Sequence, residues 1–275
     1  MTGGLFLIIY DLNKSQIKDI QTLYELCSKK ERLTLEPIPK ESKLFYVQYK
    51  ENQLICFASC IFSDNDVEIR AMTHPDFRRN GYFQQLITEL QELYPDRTIL
   101  LPWNGKSQTA RRCYESLGAE PEPAEYLLSY IVYHPFLSSF YNSIELMEES
   151  DQEYLADLHS HIFDEKISDS KEYIHYFSDA GKAYRIVWSV QTIGMYYLGK
   201  IHIVPNDTSW YLYGFGILPK YRGKGLALQT LQKLNHKLKE GEQLVVQVSE
   251  RNHAAFQLYQ KFGFSINQTL VWYVL

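Results

Sequence analysis

The sequence repeats itself. His74-Pro75-Asp76-Phe77-Arg78-Arg79-Asn80-Gly81 is answered by Leu218-Pro219-Lys220-Tyr221-Arg222-Gly223-Lys224-Gly225, an offset of 144 from Gly81 to Gly225. Ala110-Arg-Arg-Cys-Tyr114-Glu-Ser-Leu117-Gly118 is answered by Ala255-Phe-Gln-Leu-Tyr259-Gln-Lys-Phe262-Gly263, an offset of 145 from Tyr114 to Tyr259. Two matches at nearly one spacing mark a duplicated folding unit. Whatever topology one half adopts, the other must share. The 275 residues suffice for two domains of ordinary size, predicted at 1–134 and 143–275 with a linker over 135–142.

Each half runs helix, strands, amphipathic helix, strand, helix, final strand. In the second half Trp210 to Leu218 alternates aromatics like a strand. Ala227, Leu231, Leu234 and Leu238 then recur at three and four residues, one face of a helix. Leu244 to Val248 is a short apolar strand, Asn252 caps the next helix, and Gly263 ends it. The first-half equivalents are Val67 to Thr73, then Phe83, Leu86, Leu90 and Leu93, then Ile99 to Leu101, with Ser107 and Gly118 bounding the last helix. Strands interleaved with helices make the fold α/β, or α+β.

Composition narrows the function. Hydrophobic residues at 45% and charged residues at 22% supply a full core. The net charge of −5 argues against broad binding to nucleic acid or an anionic membrane. Cys27, Cys56, Cys60 and Cys113 follow no CxxC spacing and read as buried thiols, with no metal expected. The apolar run Leu5 to Tyr10 has no preceding Lys or Arg and ends at Asp11, too short for a signal core or a membrane span. The expected location is cytoplasmic, and a homodimer is one assembly the sequence allows.

The sharpest chemistry is at Arg222-Gly223-Lys224-Gly225-Leu226-Ala227, which follows a strand and opens a helix. N–H groups at a helix start lack internal acceptors, and the helix dipole favours negative charge there. Gly223 and Gly225 clear side chains from that backbone, and Lys220, Arg222 and Lys224 flank it. No Asp or Glu lies between Asp207 and Glu240 in an otherwise acidic chain, so a polyanion is the expected ligand. The loop is not a Walker GxxxxGK followed by Ser or Thr. Nor is it a dinucleotide GxGxxG, because Leu228 holds the third glycine's place.

Arg-x-x-Gly-x-Ala between strand and helix resembles the acetyl-CoA loop of the Gcn5-related N-acetyltransferase superfamily. Asn252-x-x-Ala255-Phe256-x-Leu258-Tyr259-x-Lys261-x-Gly263-Phe264 resembles that family's second cofactor motif. The resemblance implies two tandem acyl-CoA N-acyltransferase-like domains, each a central mixed, mostly antiparallel sheet flanked by helices. It also implies acetyl-CoA as acyl donor and a primary amine as acceptor, a small molecule or a protein. Backbone amides from Arg222, Gly223, Lys224, Gly225, Leu226 and Ala227 would hold the pyrophosphate. Ile217 and Leu218 would pair with the pantetheine arm, one N–H polarising the thioester. Asn252 would bond the pantetheine amides, and Tyr259 would protonate the leaving thiolate.

Three points stay open on the sequence. The amine's base is not visible on the strand Tyr211 to Phe215; Glu250 and His202 are the candidates, and His159-Ser160-His161 reads as surface. The first copy departs from the family pattern at Phe83, Arg79, Asn80 and Ser107, and Asp76, Glu89 and Glu92 dilute its positive field, although Tyr114 and Glu68 are retained. It reads as a degenerate copy. The missing carboxylate motivates an alternative, a non-catalytic acyl-CoA-binding sensor or interaction protein.

Overall fold

A computed structural model describes residues 7–33, 39, 42–63, 65–134, 142–201 and 209–275. They form two compact units, Met1–Ala124 with Thr269–Leu275, and Glu125–Gln268. Unit 1 contains β1 (Leu7–Ile9), α1 (Lys14–Glu31), β2 (Leu44–Lys50), β3 (Gln53–Phe62), β4 (Asp66–Thr73), α2 (Tyr82–Leu93), β5 (Thr98–Trp103), α3 (Gln108–Ser116) and β6 (Glu120–Pro121). Unit 2 contains β7 (Glu125–Ile131), β8 (Asn142–Leu146), α4 (Gln152–Phe163), α5 (Ile167–Ala180), β9 (Lys182–Trp188), β10 (Gln191–Ile201), β11 (Ser209–Ile217), α6 (Leu226–Lys237), β12 (Gln243–Ser249) and α7 (His253–Phe262). The last strand, β13 (Ser265–Val274), starts in unit 2 and belongs to unit 1 from Thr269 onward.

The two units share one strand order. In unit 1 it is β1-β2-β3-β4-β5-β13, in unit 2 β8-β9-β10-β11-β12-β7. Pairings are antiparallel except β4 with β5 and β11 with β12. The mixed, mostly antiparallel sheet with flanking helices is therefore present twice. The contiguous boundaries at 134 and 143 are not how the units divide. Unit 2 is closed by β7 from the first half, whereas unit 1 is closed by β13 from the chain's end. Each closing strand brings the aromatics its unit packs. Tyr126 meets Phe256 at 5.0 Å and Tyr130 meets Phe262 at 4.9 Å in unit 2, and Tyr273 meets Tyr114 at 5.5 Å in unit 1. Asn142, expected in the linker, is the buried first residue of β8, its Nδ2 donating to Thr230 Oγ1 at 2.7 Å. The rest of that linker, 135–141, lies outside the described residues.

A parallel pair needs a crossover, and each crossover here is the helix that follows the repeated loop. In both units the parallel pairing stops early. β11 and β12 pair from Ser209/Gln243 to Leu212/Val246, yet run on to Ile217 and Ser249. β4 and β5 part after Glu68/Leu100. Beyond those points the inner edge of β11 or β4 has no neighbouring strand, which leaves a gap whose floor is unpaired backbone.

The units differ in one device. β11 carries a bulge against β10 between Met195 and Tyr197, with Gly214 at φ +57°, whereas β4 pairs with β3 without interruption. An extra residue shifts the side-chain alternation by one. Leu212 faces the main core of unit 2 and Tyr213 the opposite face; after Gly214, Phe215 and Ile217 return to the main core. Gly216 then comes so close to Ile162 of α4 that any Cβ would collide with it.

Candidate functional site

β11 ends in a tight helical turn at Pro219–Tyr221, and the loop after it delivers the chain to α6. Gly223 and Gly225 have φ of +76° and +74°, a region costly to residues with a Cβ. Gly225 is the N-cap residue of α6 and offers no capping side chain, so the N–H groups of Leu226, Ala227 and Leu228 have no helical acceptor. A Cβ placed on either glycine would meet nothing within 4 Å. An anion can approach this helix start directly.

Arg222 is exposed, but its guanidinium is engaged. Its Nε donates to Ile217 O at 2.9 Å and its Nη2 donates to Ile162 O, so it braces the ends of β11 and α4. The cations left at the loop are Lys220, 5.1 Å from the Tyr221 ring, and Lys224, 5.3 Å from the Trp188 ring and 5.5 Å from that of Tyr221. Ile217 and Leu218 divide their roles. Leu218 N–H is committed to Ile193 O at 2.8 Å. Backbone polarity alternates along an antiparallel strand, so Ile217, paired opposite Gly194, directs its N–H away from β10 and into the gap.

α7 starts beside the far wall of that gap. Asn252 caps it, its Oδ1 accepting from Ala255 N at 3.1 Å. One helical face carries Tyr259, buried to 6% exposure and packed on Phe264. No residue among those described hydrogen-bonds the Tyr259 hydroxyl. Burial, reinforced by nearby Tyr211, pushes its pKa well above the usual phenol value. Tyr259 thus stays protonated at any ordinary pH. Its counterpart in unit 1 is spent, because Tyr114 donates its hydroxyl to Pro102 O at 3.2 Å.

Glu250 lies in the exposed turn between β12 and α7, and its charge adds to burial in raising the Tyr126 phenol. His202 lies outside the described residues. The strand that lacks a carboxylate has a polar chain instead. Tyr211 donates to Gln247 Oε1 at 3.3 Å, and Gln247 Nε2 donates to Glu125 Oε2 at 3.4 Å. Sequence reasoning missed this chain because Glu125 comes from β7, the strand contributed by the other half. His159 corrects the surface reading of His159-Ser160-His161. It is 4% exposed between α4 and α5, with Nδ1 3.1 Å from Ser170 Oγ, and only His161 is exposed. Leu155, Leu158 and Ile162 share its helical face, the signal that could have placed it inside.

Unit 1 repeats the frame with different side chains around it. Arg78 Nε donates to Thr73 O at 3.1 Å and pairs with Glu31, Gly81 caps α2 at φ +82°, and Ser107 caps α3. Phe83, at the position of Ala227, projects a ring 6.1 Å from that of Tyr114. Glu68, which stands where Tyr211 stands in β11, is bound to Arg70 at 2.5 Å. Among the described residues no helix is long and apolar enough to cross a membrane.

Comparison with known proteins agrees with this geometry. Residues 144–264 match the acetyltransferase (GNAT) family. A 58-residue stretch is 40% identical to YdgE of Bacillus subtilis (strain 168), named an uncharacterized N-acetyltransferase; it spans 20% of this chain and 37% of that relative. Two solved structures share the fold at low identity. A GCN5-related N-acetyltransferase from Sphaerobacter thermophilus superposes with a TM-score of 0.71 at 14% identity, over 98% of this chain and 95% of that one. A tandem GNAT protein from the clavulanic acid biosynthesis pathway gives 0.63 at 15%, over 98% of both chains. The two-glycine loop and the match to the acetyltransferase (GNAT) family fall in the same half of the molecule, and residues 144–264 of this chain are similar to that family.

Proposed function

We propose that unit 2 transfers an acyl group from acetyl-CoA, or a similar acyl-CoA, to a primary amine. The observation that carries this reading is the uncapped start of α6, open to an anion and next to the gap where Ile217 N–H is exposed. The donor's pyrophosphate sits on the N–H groups of the first turn of α6, with Lys220 and Lys224 beside it. The pantetheine arm extends along β11, and Ile217 N–H meets the thioester oxygen as negative charge develops there. The amine attacks the thioester carbon directly, and the enzyme's part is to orient it. As the C–S bond breaks, the Tyr259 hydroxyl gives its proton to the departing thiolate. Glu250 is retained as the proposed acceptor of the amine's proton.

A second reading has unit 2 bind acyl-CoA without turnover. The observation in its favour is Tyr211 at the β11 position that Glu68 holds in β4. Calorimetric titration with acetyl-CoA, followed by a thiol-release assay across an amine panel, separates the two. One site per chain with acceptor-dependent CoA release supports the enzyme. One site with no release on any amine supports the sensor, and no binding removes both.

A further inference from the structure

Unit 1 holds a cavity of about 1270 Å3, larger than the roughly 300–1,000 Å3 of most small-molecule sites. Its inner wall is apolar, formed by Ile20 of α1, Phe57 of β3 and Met72 of β4. Polar side chains stand among them, and Ser59 of β3, 1% exposed, lines the cavity beside Phe57.

The rim is cationic. Arg70 and Arg78 are neutralised by Glu68 and Glu31, but Lys30, Arg79 and Arg112 have no acidic partner among the described residues. Arg79 holds φ +65° at the loop position that Gly223 occupies in unit 2. A non-glycine residue kept in the left-handed region at a cavity rim is a common mark of a ligand site. The contents differ from those of unit 2. Phe83 replaces Ala227 at the second residue of the helix, Tyr114 has no proton to offer, and β4 lacks the bulge.

The geometry points to a second, non-catalytic site in unit 1, for a small molecule that joins an aromatic or apolar body to an anionic group. The body fills the wall around Phe57 and Met72, a polar atom meets Ser59 Oγ, and the anion lies against Arg79 and Arg112. The site takes no acyl donor, because Phe83 occupies the space that Ala227 leaves open. This inference stands independently of acyl transfer in unit 2.

The probe is 8-anilinonaphthalene-1-sulfonate, an aromatic anion that fluoresces when shielded from water, with neutral N-phenyl-1-naphthylamine as its control. The full chain should bind the sulfonate saturably, at one site. Arg79→Glu with Arg112→Glu, both exposed, should weaken the sulfonate at least tenfold and leave the neutral control within twofold. The retained binding of the neutral control reports that unit 1 is folded in that variant, and acetyl-CoA binding in unit 2, read by calorimetry, should be unchanged. Gly225→Glu should leave sulfonate binding intact. Wild-type sulfonate affinity in the charge-reversed variant would overturn the proposal. So would displacement of the sulfonate by acetyl-CoA in the Gly225→Glu protein, which would make the cavity a second acyl-donor site.

Discussion

Tyr259 and Tyr114 occupy the same place in the repeat and have opposite hydrogen-bond states, and that contrast makes the residue-scale predictions. Tyr259→Phe removes a donor that no described residue holds, so turnover should fall about 100-fold or more while acetyl-CoA affinity changes less than twofold. Unchanged turnover would make Tyr259 structural. Tyr114→Phe removes the bond to Pro102 O. It should cost about 1 kcal/mol of stability and leave turnover alone, read by denaturant unfolding beside the thiol-release assay. His159 supplies the pH prediction. Burial holds its pKa down to about 4, against an ordinary value near 6.5. A depressed histidine favours folding above the unfolded pKa, and that stability is lost as pH falls from about 6.5 toward 4, by roughly 1.4 kcal/mol per unit within the window. His159→Gln should flatten the thermal midpoint over this range relative to wild type. A parallel slope would show that His159 does not set it.

Among the elements, the loop and the bulge were unequally visible in the sequence. The loop was legible because glycines, lysines and the absence of acids are local facts, and the helix start they imply follows from chain geometry. Gly225→Glu places a carboxylate where the proposed donor's pyrophosphate lies, and acetyl-CoA binding should disappear by calorimetry. The bulge was not legible, since Gly214 looks like any other strand glycine until its partner strand fixes the register. Gly214→Val should cost about 1–3 kcal/mol through its positive φ and reverse the faces of Phe215 and Ile217. Acetyl-CoA binding in that variant should weaken more than stability alone accounts for. The role of Arg222 was also hidden. It reads as a phosphate ligand in a cationic loop, and only the carbonyls of Ile217 and Ile162, supplied by two separate elements, turn it into a brace.

Over the whole molecule, the duplicated topology was visible from the two repeated motifs, and the contiguous split into halves was not the observed one. Unit 1 depends on the last seven residues of the chain, where Val271 and Tyr273 are buried against β5 and α3. Deleting residues 269–275 should therefore strip hydrogen-exchange protection from Thr98–Trp103, which lies far away in sequence. Retained protection there would contradict the strand exchange. By itself the sequence determined that one fold is used twice, which half keeps two glycines and no acid in the loop before its helix, and where Asn252 caps α7, because turns, caps and helical periodicity are set by residues a few positions apart. The tertiary structure alone decided which closing strand serves which unit, that Glu125 joins Tyr211 through Gln247, that His159 is interior, and that unit 1 has a large open cavity. β7 and β13 alternate side chains alike, so their patterns fit either sheet, and pairing partners, burial and enclosed volume arise only when segments distant in sequence come together.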